Sequence, residues 1–168
     1  MKFQLLNRKV HYWLSVAVAL PILVIVSSGL LLQLKKQIDW VQPPEQRGSG
    51  KVPALTFAQI LTICRSVPEA GVEEWGDVSR LDVRPDRGML KVTTRTSHEI
   101  QIDTTTGAVL QVAVRRSDLI ESLHDGSWFH DSVKYAVFLP AGISLLVLWA
   151  TGLYLFALPY LARARRRK

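Results

Sequence analysis

Hydrophobic and polar positions are distributed unevenly along the chain, and two long apolar runs stand out. Residues 10–34 and 135–162 contain no charged side chain, and these runs are 25 and 28 residues long. A helix rises about 1.5 Å per residue, so either run is long enough to cross the ~30 Å hydrocarbon core of a bilayer. A helix also satisfies its own backbone hydrogen bonds, which lipid cannot do. The pattern therefore predicts transmembrane helices over residues 10–34 and 133–161.

Between these runs the pattern changes to that of a small water-exposed domain over residues 56–116. Thr56 and Gln59 form a capping box, and the apolar residues that follow it recur at helical spacing: Phe57, Ile60, Leu61 and Cys64. From Ser79 the apolar period becomes two, and tight turns separate the apolar pairs. We expect one helix packed on an antiparallel meander of three strands. The predicted fold class is therefore membrane α+β, with two transmembrane helices flanking a small helix-on-sheet domain.

The remaining segments connect these elements. Residues 1–9 and 162–168 are short basic ends, and residues 35–55 are rich in Pro, Gly and Gln without an apolar period. This composition predicts a linker that frees the domain from the bilayer surface. Residues 117–132 carry a short amphipathic stretch directly before the second run, which indicates a segment lying at the membrane interface.

The net charge of +7 is concentrated at the two ends of the chain. Eight cations lie in residues 1–9 and 162–168, whereas all 14 acidic residues lie between the runs. This distribution indicates membrane topology rather than a nucleic-acid partner. Lys and Arg are enriched in the segments that flank membrane spans on the cytoplasmic side. We therefore expect a protein of the bacterial inner membrane with both termini in the cytoplasm and the middle domain on the other side of the membrane. Lys35 and Lys36 oppose this orientation for the first span, and the basic tail outweighs them.

Cys64 is the only cysteine, so an intrachain disulfide is impossible. Its apolar helical surroundings predict a buried side chain rather than a reactive thiol.

The two apolar runs resemble each other. His11 precedes Pro21 by ten positions and His130 precedes Pro140 by ten, and the runs then contain Ser28-Gly29 and Thr151-Gly152. This pattern is typical of a divergent repeat whose copies cross the bilayer in opposite senses. The small residues favour close helix–helix packing, which predicts a partner helix. The set comprises Ser28, Gly29, Ala141, Gly142, Ser144 and Gly152.

The stretch from Ile100 to Leu110 reads IQIDTTTGAVL. It resembles the hallmark of the PepSY domain, a strand ending in Asp followed by a Thr-Gly turn and an apolar strand. Gly107 would supply the positive φ of the turn, and Asp103 would accept hydrogen bonds from turn amides. With its flanking spans, the chain is similar to PepSY-associated transmembrane proteins. The resemblance implies either a module that binds or restrains proteins, including peptidases, or a relative of larger haem-binding reductases.

The positions of the histidines bear on whether the chain is a protein-binding module or a haem-binding protein, but they do not exclude either. A bis-histidine haem needs two imidazoles at one membrane depth. His11 and His130 enter at opposite faces, about a bilayer thickness apart, so a haem b would need a dimer, a partner subunit, or a pairing of His124 with His130. Hydrolase, phosphate-loop and zinc-protease motifs are absent from the sequence.

We therefore expect a non-enzymatic accessory or regulatory subunit without a cofactor, which binds other membrane subunits or a peptidase and has the capacity to form homo-oligomers. A haem-binding redox subunit is the alternative.

Overall fold

The computed structural model describes the backbone of residues 2–166 and the side chains of residues 4–160. The chain forms two compact units. The middle unit is Leu31–Asp118. The helical unit consists of the chain before Leu31 together with the chain after Asp118.

Two long apolar helices dominate the helical unit. Helix α1 spans Lys2–Gln33 without interruption, although Pro21 lies inside it. Within the described residues, Gln4–Gln33 and Asp131–Tyr160 are long and apolar enough to cross a membrane, with mean hydropathies of 2.4 and 2.0. Only 6% and 11% of their most apolar windows are buried. The core helix of a water-soluble protein would be mostly buried, so these exposures favour contact with lipid.

Two short helices and a π-helical turn precede the second long helix. Helix α3 spans Ser117–Asp125 and helix α4 spans Asp131–Val133. A π-helical turn, Lys134–Phe138, then leads into helix α5, Leu139–Arg166. In a regular helix the ring of Pro140 would meet the carbonyl group of Ala136. The wider turn before Pro140 relieves that clash, so the two equivalent prolines of the sequence have different effects on their helices.

The middle unit contains a four-stranded antiparallel sheet in the order β1-β2-β3-β4. The strands are β1 Val78–Arg84, β2 Met89–Thr94, β3 His98–Asp103 and β4 Val109–Val114. The expectation of three strands was wrong by one. The segment from Val109 lacks a clear alternation, yet it pairs with β3 from Val109↔Ile102 to Val114↔His98. Pairing with a neighbouring strand, rather than local periodicity, makes it a strand.

One face of the sheet carries the hydrophobic core. Helix α2, Phe57–Arg65, has the predicted capping box between Thr56 and Gln59. It buries Ile60 and Cys64 against Leu90, Val92, Ile100 and Ile102 of the sheet. The predicted burial of Cys64 is confirmed, and that burial raises the pKa of its thiol to about 11. Phe57 departs from the expected stripe: it is exposed and contacts Trp75 edge to face.

Residues 41–53 cover the opposite face of the sheet, although their composition predicts a linker. Gln46 donates its backbone N–H to Gln101 Oε1 over 2.8 Å, and Gly48 donates to the Arg87 carbonyl over 2.9 Å. Ala54 donates to the Thr104 carbonyl over 2.9 Å. We call residues 41–53 the strap. It buries the polar side chains that alternate with the core residues along β2 and β3: Lys91, Glu99, Gln101 and Asp103.

Candidate functional site

The first polar contact between the long helices involves His11 of α1. Its Nδ1 lies 2.8 Å from Oγ1 of Thr151 in α5. The Thr151 hydroxyl donates its proton to the Val147 carbonyl over 2.7 Å, so it accepts from His11. The Nδ1 atom of His11 is therefore the donor in this contact.

His124 makes the second polar contact, near the other end of α1. Its Nδ1 lies 3.0 Å from the Ile25 carbonyl and 3.1 Å from Oγ of Ser28. A carbonyl oxygen only accepts hydrogen bonds, so Nδ1 of His124 is also the protonated nitrogen. Ser28 donates its own hydroxyl proton to the Val24 carbonyl, as Thr151 does to Val147. In both histidines Nδ1 is therefore the hydrogen-bond donor, and both rings contact the hydroxyl group of a Ser or Thr on a long helix.

A glycine lies beside each imidazole ring. A Cβ atom on Gly152 would lie 3.4 Å from Cε1 of His11, and one on Gly29 would lie 3.2 Å from Cε1 of His124. At both hydroxyl-glycine steps the hydroxyl group lies in hydrogen-bonding contact with the histidine. At Gly29 the missing side chain also admits the ring, whereas a Cβ atom on Gly152 would make an ordinary contact. The two contacts are reciprocal, because each long helix supplies a hydroxyl-glycine pair to a histidine elsewhere in the helical unit.

His130, which the sequence repeat equates with His11, does not make this contact. It is exposed, and its Nδ1 accepts a hydrogen bond from the Ser132 N–H over 3.1 Å at the start of α4. His124, six positions earlier, lies against α1 instead. Sequence spacing could not show this, since Gly126 at φ +82° reverses the chain between the two histidines.

An ion pair links the end of α3 to the start of the π-helical turn. The Lys134 ammonium binds Asp125 Oδ2, and the Ser127 N–H donates to Oδ1 over 2.9 Å. The bond from Lys134 is the largest influence that lowers the pKa of Asp125, to about 2. A Cβ atom on Gly126 would lie 2.4 Å from the Phe138 ring, so a close approach supports the same loop.

Gly142 differs from the other predicted packing glycines because its face is open. No atom lies within 4 Å of a Cβ atom built on it. It lines a groove of about 450 Å³ beside the Asp125–Lys134 pair, together with Ile25, Phe138, Leu139, Ile143 and Leu146. We call this the Gly142 groove. Ser28, Gly29 and Gly152 contact histidines of the same chain, and Gly142 presents an unfilled surface.

In the middle unit, Asp103 organises the turn that carries the PepSY resemblance. Its Oδ1 accepts from the N–H groups of Thr105 and Thr106 over 2.7 and 3.0 Å, and Oδ2 accepts from the Ser49 N–H of the strap over 2.7 Å. These bonds, led by the one from Thr106, hold the pKa of Asp103 far below its usual value against the opposing effect of burial. Gly107 has the predicted positive φ, +77°. Asp103 and Gly107 therefore both have the structural roles in the turn that the sequence predicted.

A buried charge network lies beneath the strap. Lys91 Nζ lies 3.0 Å from Oε1 of Glu45 and 3.5 Å from Oε1 of Glu99, and Arg115 reaches Oε2 of Glu99 over 3.0 Å. Burial would raise the pKa of Glu45, but Lys91 and two arginines lower it. Every charge in the network has a partner, which is the arrangement of a structural ion cluster.

Among the described residues, no group of three or more His, Cys, Asp or Glu side chains could hold a metal ion. His11 and His124 each lie at a different end of α1, separated by 17 positions of helix between His11 and Ser28, or about 26 Å. His11 and His124 of one chain therefore lie too far apart to ligate the same iron atom.

These observations define a class: a membrane protein with two apolar helices joined by a contact between His11 and Thr151, and a small α+β unit inserted between them in the sequence. The model of the PepSY-associated TM region family matches residues 8–168, so the chain belongs to that family. No significant match to a curated protein or to a solved structure was found.

Proposed function

We propose that the protein is a non-enzymatic accessory or regulatory subunit that binds a larger membrane complex through its helical unit. The observation that supports this most directly is the Gly142 groove. A helix without a side chain at one position admits another helix closely, and in lipid such packing is a main source of association energy. The other glycines of the spans are occupied by the chain's own histidines, so Gly142 is the position left for a partner.

The proposed topology places both termini in the cytoplasm of a bacterial inner membrane and the middle unit on the extracytoplasmic side. The eight cations of residues 1–9 and 162–168 support this orientation. The ion clusters and polar strap of the middle unit suit an aqueous compartment. A peptidase is the second partner class, and it would meet the middle unit, where the exposed Phe57 and Trp75 lie together.

Co-purification tests the proposal. The tagged protein would be extracted from native membranes in mild detergent, and its partners identified by mass spectrometry. Gly142→Leu fills the groove, so it should deplete a bound membrane subunit at least ten-fold while leaving the chain folded. Ala150→Leu adds the same side chain at an exposed small residue of the same helix, and it should retain the partner. Recovery of the wild-type chain alone, or equal retention by both variants, would count against the proposal.

A haem-binding redox subunit remains the second candidate, and one observation favours it. Both His11 and His124 use Nδ1 for hydrogen bonds to hydroxyl or carbonyl oxygens, so Nε2 would be the nitrogen that ligates iron. Because His11 and His124 lie too far apart to share one iron atom, a bis-histidine haem would require a second copy, a partner subunit, or a pairing of His124 with His130. A Soret band in the purified oligomer that is lost in His11→Ala or His124→Ala, and kept in His98→Ala, would establish this function instead.

A further inference from the structure

A second groove runs along one face of α1 near its N-terminal end. Its lining from α1 consists of two cations, three ring-bearing residues and four apolar or small residues: Arg8 and Lys9; His11, Tyr12 and Trp13; Leu5, Ser15, Val16 and Ala19. From Leu5 to Ala19 the helix rises about 21 Å. The groove therefore has cations towards one end, aromatic rings in the middle and apolar or small side chains at the other end.

The two cations of this groove, Arg8 and Lys9, have no acidic residue near them in the sequence. Residues 1–38 and 132–168 contain no Asp or Glu. Leu155 of α5 lines the same groove, so α5 passes beside it before continuing towards the basic tail. Arg8 and Lys9 thus lie at the chain's most positive membrane end, where an external anion would be attracted.

We propose that this groove is a binding site for one anionic phospholipid. Arg8 and Lys9 bind the headgroup phosphate, and an acyl chain lies along Val16 and Ala19. We call it the Arg8 groove.

Three features favour a lipid over a free phosphate ion or a partner helix. The apolar floor beyond Tyr12 would give a free phosphate nothing to contact. Tyr12 and Trp13 pack edge to face at 5.4 Å and are 61% and 67% exposed, which is the setting of aromatic residues at headgroup depth. A partner helix would have to bury Arg8 and Lys9 against its own apolar surface, which costs more than leaving them at the headgroups.

Native mass spectrometry of the full chain tests this site. The protein would be delipidated and then incubated with an equimolar mixture of phosphatidylglycerol and phosphatidylcholine of the same chain length. We expect the wild-type protein to retain one phosphatidylglycerol molecule preferentially. The double variant Arg8→Gln, Lys9→Gln should lower that retention about ten- to thirty-fold. The two cations contribute about equally to the affinity for an anionic headgroup, and the variant removes both.

Two further variants separate a site from general attraction between charges. Lys35→Gln with Lys36→Gln removes two cations beyond the other end of α1 and should leave retention unchanged. Val16→Trp keeps every charge but fills the acyl end of the groove, and it should lose the retained lipid. Val16 is 55% exposed, so this change leaves the helix contacts in place; Ala19→Leu serves as the milder version. Equal retention of both lipids by the wild-type protein, or full retention by Val16→Trp and Ala19→Leu, would overturn the proposal.

Discussion

His11 and Thr151 are hydrogen-bonded through Nδ1 and Oγ1 at 2.8 Å, although 140 positions separate them in the chain. The bond joins the first third of α1 to the middle of α5, and His124 of α3 makes a similar contact with Ser28 near the opposite end of α1. A pair of long helices in lipid has no hydrophobic driving force for association, so such bonds specify their pairing.

Removal of the Thr151 hydroxyl should weaken this pairing. Thr151→Val keeps the shape of the side chain but leaves His11 Nδ1–H without its acceptor, and we expect a loss of about 1 kcal/mol in unfolding free energy. Unfolding in mixed micelles by added denaturing detergent would measure it. Ser15→Ala is the matched control, since the Ser15 hydroxyl bonds only the His11 carbonyl of its own helix. Thr151→Ser should restore the stability; if it does not, the hydrogen bond is not the cause.

Gly29 should be intolerant of a side chain for a reason that Gly142 does not share. A Cβ atom on Gly29 would lie 3.2 Å from the His124 ring, whereas one on Gly142 would meet nothing within 4 Å. We expect Gly29→Val to destabilise the helical unit by about 1–3 kcal/mol, and Gly142→Val to leave the purified chain unaffected. Thermal unfolding in the same detergent compares them directly. If both variants lose a similar amount of stability, the loss comes from placing valine in a helix and not from a clash with His124.

Asp103 should make the middle unit sensitive to acid. Its folded pKa is depressed, so its contribution to stability is complete above the ordinary carboxyl pKa of 3.8 and is lost as the pH falls further towards the folded value. We expect the wild-type protein to lose stability relative to Asp103→Asn between about pH 4 and pH 2. Denaturant unfolding followed by circular dichroism would show this difference. Asp86→Asn, a solvent-exposed aspartate of the β1–β2 turn, should behave as the wild-type protein does at every pH.

The strap should protect the chain from proteolysis at Arg47. Its neighbours Gln46 and Gly48 donate backbone hydrogen bonds to the sheet, so trypsin should cut there slowly. A Cβ atom on Gly48 would lie 1.9 Å from the Gly88 carbonyl oxygen. Gly48→Val should therefore lift the strap and accelerate cleavage at Arg47 at least ten-fold. Gly76→Val is the control, because its nearest neighbour is the flexible end of Glu74. Rapid cleavage of the wild-type protein at Arg47 would show that these residues are a linker after all.

The sequence by itself determined the features whose causes are local. Uninterrupted apolar runs required membrane-length helices, the Thr56–Gln59 pair set the start of α2, and the Asp103–Gly107 stretch set its turn. Each depends on residues within a few positions of one another, so spacing and side-chain chemistry are sufficient. The membership of the PepSY-associated family followed from the same local motifs together with the order of the elements.

Only the tertiary structure decided the features that depend on distant partners. The apolar strand after the Thr-Gly turn was visible in the sequence, and pairing of Val109–Val114 with β3 brought the number of strands to four. Residues 41–53 became a strap because the alternate side chains of β2 and β3 need polar partners. His124 rather than His130 contacts α1 because the turn at Gly126 directs it there. The strap and the His124 contact depend on pairings across dozens of residues, which no local pattern contains.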